Sequence, residues 1–344
     1  MKVLLQTRFP PSVGGIETLA VGLAREWRAL GVEVAVSTDV GASAAGNSFP
    51  YPVQHQPDRK TLLSLWRSHD VVVQMNVSLK TSWPMLLLRK PVVFVHHTPY
   101  WIDREGTRDW RERLKLTIAR RSPWNICVSV FVREATGLKN ARIIPNSYDR
   151  RIFNMEHTPQ RDKEIVFVGR LVSDKGADLL LEAVSRIPGA GNWTITIIGD
   201  GPERAALEQQ ARQTGLANVR FTGSLPPQSV ADKLRRHQVL VVPSLWREPF
   251  GIVALEGMAC GCSVLASDGG GLPEAVGNAG LLFRRGDASD LSQKLSRLIE
   301  NPNERAKLTE QASAHLAGHT EEAMAKAYLE VIQAAVAQHR SRAC

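Results

Sequence analysis

The sequence predicts an α/β protein built from two doubly wound parallel-sheet domains, and three observations support this prediction. Short apolar runs alternate with helical patterns, as in βαβ units, whose strands are separated by helices of about 10–15 residues. The alternation stops in a charged junction without periodicity, Asp149–Glu164, and then begins again. The chain has 344 residues, and at about 100–200 residues per domain this length accommodates two domains.

In the first half, the apolar run Val3–Gln6 predicts a strand, and the Pro- and Gly-rich loop RFPPSVGG follows it. A helical pattern runs from Ile16 to Leu30 and stops at Gly31. Ser78–Arg89 also suits a helix, which Pro84 is expected to kink or to shift at its start. The further strands predicted in this half are Val32–Ser37, Asp70–Met75, Pro91–His96, Asn125–Ser129 and Arg142–Ile144.

The second half repeats the alternation. Its predicted strands are Ile165–Val168, Trp193–Ile198, Val219–Phe221, Val239–Val242 and Ser263–Ala266. Its predicted helices are Asp174–Ile187, Glu203–Thr214, Ser229–Arg236, Ile252–Ala259 and Asp290–Glu300. The Ala-rich tail Glu321–Arg340 is helical in pattern. We therefore predict a first domain at residues 1–155, a second at 156–320 and a C-terminal helix within 321–344.

Composition excludes several classes of protein. A chain with 43% hydrophobic and 22% charged residues is not disordered throughout. Its longest apolar runs have the length of strands, so no bilayer-spanning helix is predicted, and the N-terminal apolar stretch is too short for a signal-peptide core. The four cysteines show neither CxxC pairs nor a metal-binding spacing with histidine, which predicts reduced thiols in a cytoplasmic protein: Cys127, Cys260, Cys262 and Cys344.

Positive charge is concentrated in the first half. Residues 1–150 contain 21 Lys and Arg against 12 Asp and Glu, whereas the rest of the chain contains 22 of each. Within the basic segment Arg104–Arg121, Trp110, Leu114 and Ile118 form one apolar stripe of a predicted helix. Either the stripe packs on its own domain, or this face contacts an anionic lipid surface or acceptor. No motif that reads RNA or DNA accompanies the charge, so nucleic acid is not expected as a partner.

Candidate functional residues follow the ends of the predicted strands, because ligands of open α/β sheets bind at the carboxyl ends of their strands. Gly14 and Gly15 open the first helix, where backbone amides can approach an anion. His96 and His97 end a strand and are either structural or functional. Arg170 and Lys175 stand beside a helix start, where they can bind a diphosphate or remain solvated surface cations.

The segment from Val241 to Val276 is the richest in candidates. Glu248 precedes a predicted helix and Glu256 lies inside it, with seven residues between them, a separation that suggests that both carboxylates lie on one side. There they can bind sugar and ribose hydroxyls, unless Glu248 only caps the helix and Glu256 is solvated. The amides of Gly251–Val253 are unpaired donors at the helix start.

Several of these segments, in this order, resemble the family 4 retaining glycosyltransferases. The resemblance rests on IPNSYDRRIF, GRLVSDKGADLLLEAV, IIGDGPE, FTGSLP and PSLWREPFGIVALEGMACGCSVLASDGGGLPEAV. The first half matches more loosely, through PPSVGGIE and PVVFVHH, and Ser147 stands where the family favours glycine. The resemblance implies the GT-B fold, in which two Rossmann-like domains face each other across a cleft. The N-terminal domain then binds the acceptor, the second domain binds the donor, and the C-terminal helix crosses back to the first domain.

Carried over by position, the resemblance assigns a role to each candidate. Gly15 offers its amide to the donor diphosphate, and Arg170 and Lys175 neutralise the leaving nucleoside diphosphate. Glu248 holds the transferred sugar, and Glu256 binds the ribose. Nearby amides come from Phe250, Gly251 and Ile252, and the histidine that positions the sugar is His97, with His96 as the alternative.

The expected reaction transfers a hexose, with retention, from a UDP- or GDP-sugar to a saccharide or lipid-linked acceptor. Positive side chains and helix-terminal amides then stabilise the charge on the departing diphosphate. A metal is then unnecessary, and the absence of Asp-x-Asp from the chain suits a metal-free mechanism. No other cofactor is expected. The expected setting is bacterial polysaccharide, lipopolysaccharide or glycolipid synthesis in the cytoplasm, with peripheral contact to the inner face of the cytoplasmic membrane. A nucleotide-sugar epimerase of the same architecture and a non-catalytic sugar-nucleotide-binding protein are the alternatives.

Overall fold

Two parallel sheets organise the chain, as the alternating pattern predicts. The computed structural model describes residues 1–10, 14–42, 48–99, 109–155, 161, 163–190 and 193–342. It divides into one unit formed by Met1–Ser147 with Glu321–Cys344 and a second formed by Tyr148–Thr320. The division lies at 147/148, whereas the sequence pattern placed it at 155/156.

In the described part of the first unit, seven strands form one parallel sheet with the order β3-β2-β1-β4-β5-β6-β7. The strands β1 to β7 are Lys2–Gln6, Glu33–Thr38, Val53–His55, Val71–Met75, Val92–His96, Asn125–Cys127 and Arg142–Ile143. The helices α1 to α5 are Gly15–Ala29, Arg59–Ser68, Leu79–Ser82, Trp110–Arg121 and Val130–Thr136. The central strands are buried along their whole length, as expected for a sheet covered by helices on both faces.

The C-terminal helix, here α13 (Glu321–Ser341), belongs to the first unit. It packs on α1, where the indole Nε1 of Trp27 donates to the carbonyl of Ala325 at 3.1 Å. Tyr328 is fully buried in this contact, and its ring lies 6.3 Å from that of Trp27. Arg25 and Glu321 form an ion pair at the edge of the same contact. Residues far apart in the sequence therefore share one core.

The second unit contains a parallel sheet of six described strands with the order β10-β9-β8-β11-β12-β13. The strands β8 to β13 are Lys163–Val168, Ile195–Ile198, Val219–Gly223, His237–Val242, Ser263–Ser267 and Gly280–Phe283. The helices α6 to α12 are Ala177–Ser185, Arg204–Gln213, Pro227–Arg236, Ile252–Ala259, Leu272–Val276, Ala288–Glu300 and Pro302–Ala317. The sheet core includes Ile165, Leu180 and Leu291, all fully buried. The prediction of two parallel-sheet α/β domains is confirmed.

The predicted helix Ser78–Arg89 is shorter in the structure. α3 ends at Ser82, and a 3₁₀ turn, Trp83–Leu86, carries Pro84 in its first positions. Proline fits the first turn of a helix but not its interior, because it has no N–H to donate. The pattern also missed β3, α2, α10, β13 and α12. Short elements such as β3 and α10 carry little periodic signal. The helix α12 has 16 residues, but only Leu308, Ala312 and Leu316 of these are buried, which leaves its apolar stripe weak.

The packing interpretation of the basic helix is wrong for two members of its apolar stripe. In α4 the buried residues are Leu116 and Ala119, whereas Trp110 is 66% exposed and Leu114 is 42% exposed. Residues 104–108 of the predicted basic segment lie outside the described residues. No helix within the described ranges combines the length and the apolar character that a membrane crossing requires.

Candidate functional site

The candidate residues of the second unit lie where its central strands end. Because all six strands are parallel, their carboxyl ends share one edge of the sheet. β8 leads into Gly169 and Arg170, and its neighbour β11 leads into Pro243 and Ser244. The loops after these two strands touch, since a Cβ on Gly176 would lie 2.1 Å from the carbonyl oxygen of Pro243. Gly176 also has φ +72°, so only glycine suits this position.

An ion pair joins the two loops. The Nζ of Lys175 lies 2.5 Å from the Oε1 of Glu248, and Ser244 donates from Oγ to the same oxygen at 2.8 Å. Ser244 is in turn held by Ser267 at the end of β12, whose Oγ donates to the Ser244 carbonyl at 2.8 Å. The side chain of Lys175 is 29% exposed and that of Glu248 15%. Both groups thus remain open to a ligand while their positions are fixed.

The backbone around Glu248 is held from two sides. The amides of Leu245 and Trp246 donate to the carbonyl of Asp174, at 2.9 and 3.0 Å. On the other side, the amide of Gly271 donates to the Glu248 carbonyl at 2.7 Å. These bonds attach the Glu248 loop to the loop after β8 and to the glycine-rich turn after β12. Such attachment reduces the reorganisation that ligand binding would require.

The start of α9 can bind an anion through its first backbone amides. The cap residue Gly251 has φ 122° and provides no side-chain hydrogen bond to the first turn. The first amides of a helix have no partner within the helix and carry partial positive charge. Phe250, just before them, is 2% exposed, and its ring lies 5.6 Å from that of His319. The buried ring anchors the chain where Gly251 and Ile252 present their amides.

Glu256 differs from Glu248 in its surroundings. It lies within α9, half-buried, and no described residue forms a hydrogen bond or ion pair with its carboxylate. Burial raises the pKa of Glu256 to about 7, and the nearby Asp149 carboxylate adds to the effect. The argument that one helical face carries Glu248 and Glu256 is wrong, because α9 begins only at Ile252.

Arg170 is exposed at the end of β8. Its guanidinium forms no ion pair or hydrogen bond with the described residues, Lys175, Glu248 and Glu256 included. Of the four second-unit side chains selected from the sequence, the structure joins Lys175 and Glu248 by direct contact. Arg170 and Glu256 lie on elements that flank this pair, without contact to it.

In the first unit, Gly15 begins α1 and is exposed. An acidic side chain lies near this helix start, because a Cβ on Gly14 would be 2.7 Å from Oε2 of Glu17. Glu17 also pairs with Arg8, whose Nε is 3.5 Å from Oε1. Carboxylates stabilise the positive end of a helix, so Glu17 limits the positive field that Gly15 offers to a ligand.

His96 and His97 have different environments at the end of β5. The Nε2 of His96 lies 2.8 Å from Oδ1 of Asn125, and the residue is fully buried. His97 donates its backbone N–H to Oδ1 of Asn76 at 2.9 Å, but neither ring nitrogen has a partner among the described residues.

Burial lowers the pKa of both rings, to about 4 for His96 and about 3 for His97. Both are therefore neutral at pH 7, and a neutral imidazole offers one donor and one acceptor. The ring of His97 has both available for a ligand.

Two contributors to the site were missed by the sequence reasoning. Ser244 fixes the oxygen of Glu248 that contacts Lys175. Its position two residues after the end of β11 was the signal that could have identified it. Gly270 allows the turn after β12 to approach the Glu248 loop, since a Cβ there would lie 2.3 Å from the Glu248 carbonyl oxygen. The run Gly269–Gly271 was a visible signal for such an approach.

Comparison with known proteins assigns both halves of the chain. Residues 149–315 match the family model "Glycosyl transferases group 1", and residues 13–151 match "Glycosyltransferase Family 4". Together these matches span nearly all of both predicted domains.

Curated relatives agree with the family models. Over 190 residues the chain is 35% identical to an uncharacterised glycosyltransferase of Methanocaldococcus jannaschii, covering 54% of this chain and 52% of the relative. Over 180 residues it is 37% identical to a D-inositol 3-phosphate glycosyltransferase of Corynebacterium jeikeium, covering 49% and 43%. The chain thus spans about half the length of the curated relatives it matches.

The fold is shared with a solved structure over nearly the whole chain. Anabaena HepE in complex with UDP-glucose has a TM-score of 0.80 and 20% sequence identity, with 97% of this chain and 100% of that chain covered. The ordered motifs, the two parallel-sheet units, the two family models and the shared fold lead to one conclusion. The chain belongs to the family 4 glycosyltransferases with the GT-B fold.

Proposed function

We propose that this protein is a retaining hexosyltransferase that moves a sugar from a UDP- or GDP-sugar to a hydroxyl group of a saccharide or lipid-linked acceptor. The observation that carries the proposal is the ion pair of Lys175 with Glu248, placed beside the uncapped start of α9. A cation and helix-terminal amides suit a diphosphate, and a fixed carboxylate suits sugar hydroxyls.

In this proposal the second unit binds the donor. Arg170, Lys175 and the amides of Phe250, Gly251 and Ile252 face the diphosphate and stabilise its charge as the bond to the sugar breaks. Arg170 is a candidate for this role because it is exposed at a strand end and has no ion-pair partner among the described residues. Gly15 contributes its amide to the same diphosphate.

Glu248 and Glu256 hold hydroxyl groups in this proposal, Glu248 those of the transferred sugar and Glu256 those of the ribose. The lack of a described partner for the half-buried Glu256 supports its role, because removing a carboxylate from water without giving it a partner is costly. His97 positions the sugar as a neutral hydrogen-bonding group. This role is supported by its two buried ring nitrogens without described partners.

The transfer step is a displacement on one face of the sugar. The bond between the anomeric carbon and the diphosphate oxygen breaks, and the acceptor oxygen bonds to the same carbon. The acceptor proton passes to the departing phosphate oxygen. The cationic and amide groups supply the charge stabilisation for this step, so we propose that it needs no metal.

We further propose that the first unit binds the acceptor and meets an anionic membrane at the inner face of the cytoplasmic membrane. The excess of Lys and Arg in residues 1–150 supports this setting, as do the exposed Trp110 and Leu114 on the basic helix α4. A membrane-bound acceptor fits the synthesis of bacterial polysaccharide, lipopolysaccharide or glycolipid.

Donor turnover by a Lys175→Ala variant tests the proposal. Loss of one charge-assisted contact of about 1.5–3 kcal/mol lowers the rate roughly tenfold to a hundredfold. Lys233→Ala removes an exposed lysine of α8 and serves as the matched control with unchanged turnover. Nucleoside diphosphate release from UDP-glucose and GDP-mannose is the measurement. Equal rates in both variants would remove Lys175 from the site.

The stereochemistry and the metal requirement are tested on the wild-type protein. NMR of the sugar first released from an α-linked donor is expected to show the α anomer, and a β anomer would contradict retention. Activity is expected to survive EDTA, and a large loss would show a metal requirement. Conversion of the donor to its epimer, with no diphosphate released, would support the epimerase alternative. Donor binding without any turnover would support the non-catalytic alternative.

A further inference from the structure

A cavity with a volume of about 500 Å³ opens at the carboxyl edge of the first sheet. It lies where β1 ends between its two neighbours, β2 on one side and β4 on the other. The chain winds outward in both directions from this point, and such switch points are the usual ligand sites of open α/β sheets. All of the residues that line the cavity belong to the first unit, whereas the proposed donor pair, Lys175 and Glu248, belongs to the second.

The floor of the cavity contains polar atoms without partners. Gln6, at the end of β1, and Ser37, near the end of β2, are each 2% exposed. Among the described residues, the Nε2 of Gln6 and the Oγ of Ser37 have no hydrogen-bond partner. Gln74 does not satisfy them, because its own Nε2 donates to Oε1 of Gln6, at 3.3 Å, and leaves the Gln6 Nε2 without an acceptor. Buried polar atoms normally have partners, so a ligand with hydroxyl groups fits this floor.

The rim of the cavity is basic. Arg8, Lys80, Arg111 and Lys115 line it, against one carboxylate, that of Asp39. Lys115 pairs with Glu112, and Arg8 pairs with Glu17. Lys80 and Arg111 have no ion-pair partner in the described part of the chain, and both are exposed. Two cations that no described residue neutralises favour an anionic group at the rim.

The walls between the floor and the rim are partly apolar, formed by Ile16, Met75, Val77 and Leu79. An apolar wall suits the C–H faces of a polyol ring, whose hydroxyl groups then point to the floor. The polar floor, the apolar wall and the cationic rim together fit a small ring-shaped molecule that carries hydroxyl groups at one end and an anionic group at the other.

We propose that this cavity binds a phosphorylated polyol, with its hydroxyl groups on Gln6 and Ser37 and its phosphate on Lys80 and Arg111. This inference rests on the proposed function, because it identifies the class of acceptor. The phosphorylated polyol is either a free sugar phosphate or the head group of a phospholipid, which present the same chemistry to these residues.

Calorimetric titration of the full chain with glucose 6-phosphate, glucose and inorganic phosphate tests the inference. Glucose 6-phosphate is expected to bind at least about tenfold more tightly than either fragment, since it uses both floor and rim. Equal affinity for inorganic phosphate would overturn the inference, because the floor would then be unused. Equal affinity for glucose would overturn it as well, because the rim would be unused.

Variants locate the binding to this cavity. Lys80→Ala and Arg111→Ala are each expected to weaken glucose 6-phosphate at least about tenfold, whereas Arg113→Ala, an exposed arginine of α4 that does not line the cavity, leaves it unchanged. Ser37→Ala is expected to weaken binding without lowering the melting temperature, because its hydroxyl has no protein partner among the described residues. Unchanged binding in all three cavity variants would overturn the inference.

Two further measurements separate the possible sources and the possible failures. The protein is sedimented with vesicles of phosphatidylinositol or of phosphatidylcholine. If it sediments with the first and not with the second, and glucose 6-phosphate reverses this, the ligand is a lipid head group. Binding of glucose 6-phosphate without such sedimentation supports a free sugar phosphate. Release of UDP or GDP from the donor in the absence of acceptor tests the proposed function alone. If donor turnover proceeds but no preference for the phosphorylated probe is found, only the acceptor inference fails.

Discussion

At the scale of single residues, the two acidic groups of the proposed donor site differ in the partners that the fold gives them. Glu248 accepts hydrogen bonds from Lys175 and Ser244. Glu256 has neither kind of partner among the described residues, and burial raises its pKa to about 7. A carboxyl group with this pKa takes up a proton within the pH range in which proteins are usually assayed.

Glu256 therefore makes the stability of the ligand-free protein depend on pH. The pKa in the fold exceeds the ordinary value of 4.5, so the folded state binds the proton more tightly than the unfolded chain. The stability that Glu256 contributes to the folded state is therefore fully present below pH 4.5, and it is lost as the pH rises through 7.

Glu256→Gln keeps the neutral form at every pH. We expect the variant to match the wild type near pH 4.5 and to be more stable at pH 8, by at most about 3 kcal/mol. Melting temperatures measured across this pH range check the prediction. A constant difference between the two proteins would contradict the assignment of the pKa.

The same substitution separates stability from function. A neutral amide accepts hydrogen bonds from ribose hydroxyls less strongly than a carboxylate does. Donor affinity is therefore expected to fall in Glu256→Gln at pH 8, where stability rises. Stability and function often change in opposite directions when a binding site contains a group that destabilises the ligand-free fold.

At the scale of secondary-structure elements, the turn after β12 determines where the Glu248 loop lies. Gly270 has φ +69°, and a Cβ there would meet the Glu248 carbonyl oxygen at 2.3 Å. Gly270→Ala is expected to lower both stability and donor turnover, because the clash moves the backbone of a site residue. Thermal unfolding and diphosphate release are the measurements.

Gly215→Ala is the matched control for this turn. It has nearly the same backbone angle, φ +72°, but nothing within 4 Å of the added Cβ. We expect it to cost about 1–2 kcal/mol of stability while the turnover of the folded protein stays unchanged. A similar turnover in both variants would mean that the turn does not position Glu248.

The helix α4 presents exposed apolar groups among basic residues. Trp110 and Leu114 are 66% and 42% exposed, and the guanidinium of Arg111 lies 5.5 Å from the Trp110 ring. A double substitution, Trp110→Ser with Leu114→Ser, is expected to weaken sedimentation with anionic vesicles without changing donor affinity, because interfacial binding scales with the apolar area buried.

Leu86→Ser is the control for α4, since Leu86 is 83% exposed in the first unit but belongs to a different element. Vesicle binding is expected to survive this change. If it weakened vesicle binding as much as the α4 substitutions, general surface hydrophobicity would explain the effect and α4 would have no special role.

At the scale of the whole molecule, the first unit is discontinuous in sequence and the second is not. The helix α13 covers Trp27 and buries Tyr328 against the first unit. We expect a fragment of residues 148–320 to unfold cooperatively by itself. A fragment of residues 1–147 is expected to lack stable tertiary structure, because its apolar surface on α1 is uncovered.

Circular dichroism and thermal unfolding of the two fragments check this prediction. Addition of a peptide with residues 321–344 is expected to restore a cooperative transition to fragment 1–147. Cooperative unfolding of fragment 1–147 without the peptide would show that α13 is dispensable for this unit.

Much of the fold could be predicted because the signals are local. The buried strands Val92–His96 and His237–Val242 are nearly continuous apolar runs, and helices such as α1 repeat apolar residues with helical spacing. β3 and α10 were missed because each is short and its stability comes from neighbouring strands and loops rather than from its own pattern. Pro84 marked a break, but whether it kinked or shortened the helix depended on the packing around it.

The candidate site could be predicted in part for the same reason. Strand ends and glycines indicated where ligand-binding groups should lie, and the structure does bring Lys175 and Glu248 together. It does not place Glu248 on the helix of Glu256, because the chain between them turns at Gly251 before α9 begins.

By itself, the sequence determined the alternation of strands and helices in each half and the chemical types at the ends of the predicted strands, since these depend on residues close together in the chain. Only the tertiary structure decided that Ser244 holds Glu248, that His96 is satisfied by Asn125, and that α13 completes the first unit. Apart from Ser244 and Glu248, these partners lie far apart in the chain, and in each case their contact depends on how whole elements pack. Packing energy depends on that three-dimensional fit, which no local pattern of residues encodes.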